Sequence, residues 1–552
     1  HTFVGQPIYP SVNRGEDIDW ETNPTKDNEW IWQLHRMYWW TSLGKAYWST
    51  GDEKYAAEWS AELIDWVKKN PRDGKHPLAW RTIETGQRGV NFTTHFEYFI
   101  DSPSFTTNTL IHLLKSVDDH GAHLMANQGG KNWLLFESEG LVFSGVYFPE
   151  LRSAKAWREE GIKRFSAEIK NQVFPDGSHV ELSISYHIGA IGTFYSAFRM
   201  AELNLMAGEF PKGYRETLEN MVLAVMKWSL PDLTVPQFGD SWKGGPLTNF
   251  FRNWNEAFPR PELEYLGSDR NAGKPPTETA FALSNAGFYS LRNGWGADAT
   301  CLVLKCGADG GFHCQPDNGT FELYALGKHF MPDSGSFIYS GDAEGRAWFR
   351  RTASHQTLTL GDANSAYAPK LILWQPGKDS DSFIVENASY EGLTHRRSVH
   401  FVRKKYFVLV DDAIGAAEGE LRLHFQLLPS TAAFDEKNVS VRTDFPDTPN
   451  LLVRSVPQKG MRLVREEGQV SFVYTKKEAR PAFAYALSKS SKSKRCRFVT
   501  VVLPYSGKEP DLQIAYPDID KPAENAYSFI VSVNGETAAV AYDGLANKAE
   551  IK

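Results

Sequence analysis

The chain has 552 residues, 41% hydrophobic and 23% charged, too long for one core and ordinary for a globular protein of about two to four domains. A net charge of −7, split as −8 over the first 270 residues and +1 over the rest, offers no global basic field, so no nucleic-acid partner is expected and an anionic ligand needs local cations. No apolar run reaches the roughly 18 residues of a membrane span, so no membrane partner is expected either. Four cysteines (Cys301, Cys306, Cys314, Cys496) show no CxxC and no disulfide-framework spacing, and read as free buried thiols. The first residue is His1 rather than Met, which sets the expectation of a removed leading segment. Seventeen tryptophans fit a sugar-stacking cleft or a large aromatic core.

The first half reads as helices. Glu29–Thr50 carries Trp30, Leu34, Met37, Tyr38 and Leu43 at three- and four-residue spacing, and Gly51-Asp52 breaks it. Asp52 caps a second helix to about Lys69, with Tyr55, Trp59, Leu63 and Trp66 on one stripe, and Asn70-Pro71 stops it. Further helices are predicted at about 105–124, 149–171, 188–207 and 212–229. No 34-residue period follows, so paired helices closing into a toroid fit better than a solenoid. The turn-rich stretch 267–276 is a linker, and strand patterns follow it at 288–291, 301–306, 320–326, 398–402 and 406–410. Gly327-Lys328 and Lys404-Lys405 read as hairpin tips. The expected fold is an α+β chain with an N-terminal incomplete (α/α) toroid over 1–268 and a multi-sheet antiparallel β-sandwich over 269–552.

Three polar constellations stand out. Lys131-Asn132-Trp133 opens an apolar helix, where Asn132 could be a plain cap or a functional amide. Ser183-Ile184-Ser185-Tyr186-His187 places a phenol beside an imidazole, a pair that often only packs. Gly311-Phe312-His313-Cys314-Gln315-Pro316-Asp317-Asn318 gathers a histidine, a thiol, amides and a carboxylate at the mouth of a strand. Downstream, Asp333 ends one strand and His355 begins another, so Gln315, Asp333 and His355 are available to one cation or to each other. There is no GxxxxGK[ST], GxSxG or HExxH motif.

At these residues, together with Asp27-Asn28-Glu29-Trp30 through Trp39-Trp40, Lys131 through Glu137 and Glu181 through His187, the chain resembles the heparinase III family of polysaccharide lyases, within the heparinase II/III-like group. The resemblance spans nearly the whole chain and implies a helical toroid joined to a β-sandwich. It implies a lyase that cleaves heparan sulfate by β-elimination at the C4–O bond of a uronic acid, leaving a 4,5-unsaturated uronate. Tyr186, His313 and Asn132 match the family's catalytic residues, Asn132 holding the uronate carboxylate, with the active site between the domains. Glu84, Arg88, His187 and Asp240 are expected to touch substrate. Where the wider group often has His-x-His, this chain has His313-Cys314-Gln315. A divalent metal (calcium, manganese or zinc) on Gln315, Asp333 and His355 is then expected to be structural, the amide oxygen favouring calcium or manganese. The resemblance also implies a bacterial periplasmic or secreted monomer without an organic cofactor. The alternatives are a lyase on another uronate polymer, such as alginate or hyaluronan, and a non-catalytic glycan-binding protein.

Overall fold

The computed structural model describes residues 1–3, 11–446 and 449–552. The chain forms two compact units, neither continuous in sequence. The first comprises His1–Val173, Ile188–Leu218 and Tyr339–Gly341; the second comprises Phe174–His187, Glu219–Ile338 and Asp342–Lys552. Tyr186, expected from the helical half, therefore belongs to the same unit as His313.

The helices of the first unit are α1 (Glu29–Arg36), α2 (Trp40–Thr50), α3 (Glu53–Lys69), α4 (Thr82–Phe99), α5 (Thr107–Ala126), α6 (Asn132–Tyr147) and α7 (Ala154–Gln172). Most of α8 (Ile184–Leu203) follows, although its first turn belongs to the second unit. Helix α3 begins as its sequence dictates, with the Asp52 carboxylate accepting the Lys54 N–H at 3.0 Å and Lys68 and Lys69 in the last turn. The single helix expected over 29–50 is instead two, because Met37 turns left-handed at φ 62°. The reason is non-local. The last carbonyls of α1 are taken by α4, with Arg88 donating to His35 O at 3.0 Å and Asn91 donating to Arg36 O at 2.5 Å.

The tryptophans settle mainly in this core. Trp30, Trp40, Trp59, Trp66 and Trp157 are at most 2% exposed, and Trp40, Trp59, Phe92 and Phe99 form offset and edge contacts. Helices α4 and α6 cross with their backbones nearly touching. A Cβ on Gly86 would collide with Phe136 O, so only glycine permits this crossing, which fixes the helix that Asn132 opens.

One core carboxyl carries a pH signature. Burial pushes Glu139 in α6 up to about 8, against an opposing hydrogen bond from the Ser196 hydroxyl. A raised folded-state value means the stabilising contribution is complete below the unfolded value near 4.5 and is lost as pH rises through about 8. Glu139→Gln is expected to match the parent in denaturant melts near pH 5 and to exceed it by a few kcal/mol near pH 8. Equal stability at both values would show that Glu139 does not carry this charge cost. Glu62, also raised to about 8 by burial, keeps part of the slope in either protein.

In the second unit, α9 (Tyr214–Trp228) lies mostly within the unit, followed by α10 (Thr248–Ala257) and α11 (Pro261–Gly267). The sequence then turns to strands. β1 (Ala280–Leu283), β2 (Phe288–Arg292), β3 (Cys301–Lys305), β4 (Phe321–Ala325) and β5 (Lys328–Met331) form one antiparallel sheet in chain order. The β4–β5 turn is Leu326-Gly327, both at positive φ, one residue earlier than expected, since Lys328 already pairs with Ala325. Among the described residues, the rest of this unit holds an eight-stranded and two four-stranded antiparallel sheets. The five-stranded sheet, the eight-stranded sheet and one four-stranded sheet share one core, in which Leu302, Phe321 and Phe330 meet Phe401, Phe425 and Phe483, while the other four-stranded sheet packs Phe529, Val531 and Val540 in a second cluster with Val408, Val410 and Val501. A last helix, α12 (Ala343–Arg350), is capped by Asp342, whose carboxylate accepts the Gly345 N–H at 2.8 Å.

Candidate active site

The loop between β3 and β4 carries His313. Its ring stacks on Tyr186, with centroids 3.5 Å apart and planes 17° from parallel. Tyr186 stands in the first turn of α8, just after Leu182, a leucine held at φ 51°. Backbone strain of this kind is retained where surroundings over-determine it, and such places are often functional. His313 Nδ1 lies 2.9 Å from Glu181 Oε2, whose side chain is 2% exposed. When Glu181 is ionised it only accepts hydrogen bonds, Nδ1 is then the donor, and Nε2 is the nitrogen left for proton exchange. The sequence reading assigns Glu181 no role, because nothing in local spacing links it to a histidine far along the chain. Phe312, next to His313, is 68% exposed and meets the imidazole edge-on at 5.2 Å.

In the first unit, Asn132 is the first residue of α6, not its cap. The cap position is Lys131, at φ 53° and with no side-chain capping bond. The loop before it is pinned by the Glu137 carboxylate, which accepts the Gly129 N–H at 2.9 and 3.0 Å, and by Gln172, which donates to Lys131 O at 2.9 Å. Burial raises Glu137 above the ordinary carboxylate range. The half-buried Asn132 amide is thus held by a strained, tied loop. Beside it, Arg81 lies between Trp32 and Trp133, 3.6 and 4.7 Å from their ring centres.

The four residues expected to touch substrate are core residues. Glu84 is 0% exposed and pairs with Arg36 at 2.9 Å and Arg81 at 3.4 Å. Arg88 is 0% exposed, donates to His120 Nε2 at 2.8 Å and to His35 O, and is lowered to about 9 by burial. His187 is 2% exposed. Its Nδ1 accepts the His179 N–H at 3.0 Å, its Nε2 donates to Met221 O at 2.9 Å, and burial lowers it to about 3, so it stays neutral. Asp240 is 0% exposed with its carboxylate on Arg346 and Arg350. These side chains face protein partners because each burial needs hydrogen bonds that a ligand would have to displace.

Two of the three expected cation ligands, Asp333 and His355, converge, and Asp317 joins them. Ligand atoms of Asp317, Asp333 and His355, all fully buried, lie within 4.8 Å of one another. Asp333 Oδ2 accepts from His355 Nδ1 at 2.8 Å. Gln315 Oε1, Asp317 Oδ2 and His355 Nε2 are buried without a hydrogen-bond partner, whereas the Gln315 amide nitrogen donates to Gly239 O at 3.2 Å. Three buried acceptors without a protein partner fit a divalent ion. Asp317 is a candidate ligand absent from the expected set, although it stands only two residues beyond Gln315. Lys305 also reaches it: burial opposes the lysine's charge, but Asp317 and Cys314 outweigh that and raise it. Cys314, expected only to pack, is 0% exposed and its sulfur also accepts from the Lys305 ammonium at 3.3 Å.

An array of paired helices followed by multi-sheet antiparallel β structure is the toroid-and-sandwich architecture. Residues 1–265 match the Heparinase II/III N-terminus family and 275–513 match Heparinase II/III-like, C-terminal, so the chain belongs to the heparinase II/III family. It is 40% identical over 556 residues to the heparin-sulfate lyase of Pedobacter heparinus, covering 98% of this chain and 84% of that one. It is 34% identical to the heparin-sulfate lyase of Bacteroides thetaiotaomicron, covering 96% and 81%. A solved heparinase III structure superposes with a TM-score of 0.91 at 33% identity, covering 97% of this chain and 86% of that one. A crystal structure of a heparan sulfate lyase mutant from Pedobacter heparinus gives 0.81 at 39%, covering 98% and 87%.

Proposed function

We infer that this protein is a polysaccharide lyase that cleaves heparan sulfate by β-elimination. The single observation that carries the mechanism is the Tyr186–His313 stack, with Glu181 on His313 Nδ1. The uronate C5 proton is hard to remove because the neighbouring carboxylate resists further negative charge. Asn132 donates its amide N–H to that carboxylate and stabilises the developing enediolate. His313 and Tyr186 share the two proton transfers: one takes the C5 proton, the other protonates the O4 leaving oxygen as the C4–O4 bond breaks. The electron pair of the C5–H bond becomes the C4=C5 double bond, and no water is consumed. Phe312 offers an exposed ring face to a sugar beside His313.

The cation reading stays with Asp317, Asp333, His355 and Gln315. A bound ion there supplies positive charge that ties the His313 loop to the β unit, and the three oxygen donors favour calcium or manganese over zinc. Chelator treatment is expected to lower the melting temperature of the protein, with calcium or manganese restoring it, and Asp317→Asn is expected to abolish that response. An unchanged melting temperature in chelator would remove the ion. Among the described residues no helix is long and apolar enough to cross a membrane. A periplasmic or secreted location goes with a substrate that is an extracellular polymer.

The test is incubation with heparan sulfate, alginate and hyaluronan while following the ultraviolet absorbance of the new double bond. Signal on heparan sulfate is expected. Signal only on alginate or hyaluronan would move the substrate, and none on any uronate polymer would defeat the lyase reading.

A further inference from the structure

Asp240 is buried, yet its polar atoms reach both sides of the Tyr186–His313 pair. Its main-chain N–H donates to His313 O at 2.9 Å, and its main-chain carbonyl accepts the Ser183 hydroxyl at 2.9 Å. Ser183 immediately precedes α8, and its carbonyl accepts the His187 N–H at 2.9 Å. The next residue of the turn, Ser241, accepts the Ser185 N–H at 3.1 Å, satisfying one of the orphan donors at the start of α8. On the other side, Gly239 at φ 69° lies so near the loop that a Cβ there would sit 2.5 Å from His313 O.

The Asp240 carboxylate locks this turn to α12. Oδ1 accepts from Arg346 at 2.8 Å, Arg350 at 3.3 Å and the Ser336 hydroxyl at 2.9 Å, and Oδ2 accepts from Arg346 at 2.7 Å. Arg350 also donates to Cys314 O at 2.8 Å, so the residue after His313 is held by the same helix. Both guanidinium groups lie near the Phe312 ring, at 5.7 and 5.8 Å from its centre. One buried carboxylate thereby organises three segments: the entry to α8, the His313 loop and α12. Charge-assisted bonds of this kind fix geometry more firmly than neutral ones.

We propose that Asp240 is a positioning residue that sets the register of Tyr186 against His313, acting through the 239–241 turn and the Arg346–Arg350 clamp rather than by touching substrate. The proposal rests on the reading of that pair as the catalytic one. A displacement of about 1 Å at reacting groups costs on the order of 100-fold in rate, and that is the scale expected.

The experiment uses Asp240→Asn, Arg350→Ala and Ser183→Ala in the full chain, with kcat and KM on heparan sulfate and the His313 ring signals by NMR. Asp240→Asn is expected to lower kcat about 100-fold with KM within about twofold, Arg350→Ala and Ser183→Ala to lower it about tenfold, and all three to shift the His313 resonances. A raised KM with kcat retained would overturn the proposal in favour of direct substrate contact. A lowered melting temperature with unchanged kcat per folded molecule and unmoved His313 signals would overturn it in favour of plain stability. If Asp240→Asn does not fold, the other two variants decide by the same readings. If the parent eliminates no uronate polymer, the functional reading has failed separately, and the His313 signals alone decide whether the turn positions the pair.

Discussion

Tyr186→Phe is expected to lose roughly 1,000-fold or more in kcat while binding heparan sulfate oligosaccharide almost as tightly as the parent. The substitution removes one hydroxyl and leaves the ring, so the stack on His313 at 3.5 Å and the entry to α8 are kept. The loss then reports proton transfer rather than packing. When His313, with its Nδ1 proton held by Glu181, takes the C5 proton through Nε2, the Tyr186 hydroxyl is left to protonate the leaving oxygen. Single-turnover rates and oligosaccharide affinity measure the two halves of this prediction. A variant that keeps most of its rate would remove Tyr186 from the chemistry.

The second large effect belongs to Asn132. Asn132→Ala is expected to lower kcat about 100- to 1,000-fold, because the amide acts on charge that grows at the uronate carboxylate during proton removal. Asn132→Asp tests the sign of the argument. It is nearly isosteric, yet it sets a carboxylate against a carboxylate, so it is expected to fall at least as far and to raise KM as well. The loop that presents residue 132 is held by Glu137 and Gln172, so neither substitution removes its anchors. An Asn132→Asp protein as active as the parent would show that this position does not face the substrate carboxylate.

Much of this is written in local pattern. The α3 cap and stripe, the strands at 288, 301, 320 and 406, and the polar run at 311–318 follow from periodicity and turn chemistry alone. Where the structure departs from local pattern, distant partners are the cause. The break at Met37 exists because Arg88 and Asn91, more than fifty residues on, take the carbonyls that would have continued α1. Glu84, Arg88, His187 and Asp240 carry the side chains of a binding cleft, but long-range pairing sinks them into the core. The aromatic excess divides in the same way, with eight of the seventeen tryptophans buried, Phe312 left accessible and Trp32 and Trp133 half-buried. Asp317 joins the cation cluster only because the loop brings it beside Asp333 and His355.

Mass analysis of the products of heparan sulfate cleavage tests the central claim most directly. Elimination conserves atoms, so the two fragments must sum to the mass of the parent oligosaccharide, with one fragment bearing the 4,5-unsaturated uronate at its new non-reducing end. Fragments that sum to the parent plus one water would show hydrolysis, and would contradict the assignment of Asn132, Tyr186 and His313 to proton removal at C5.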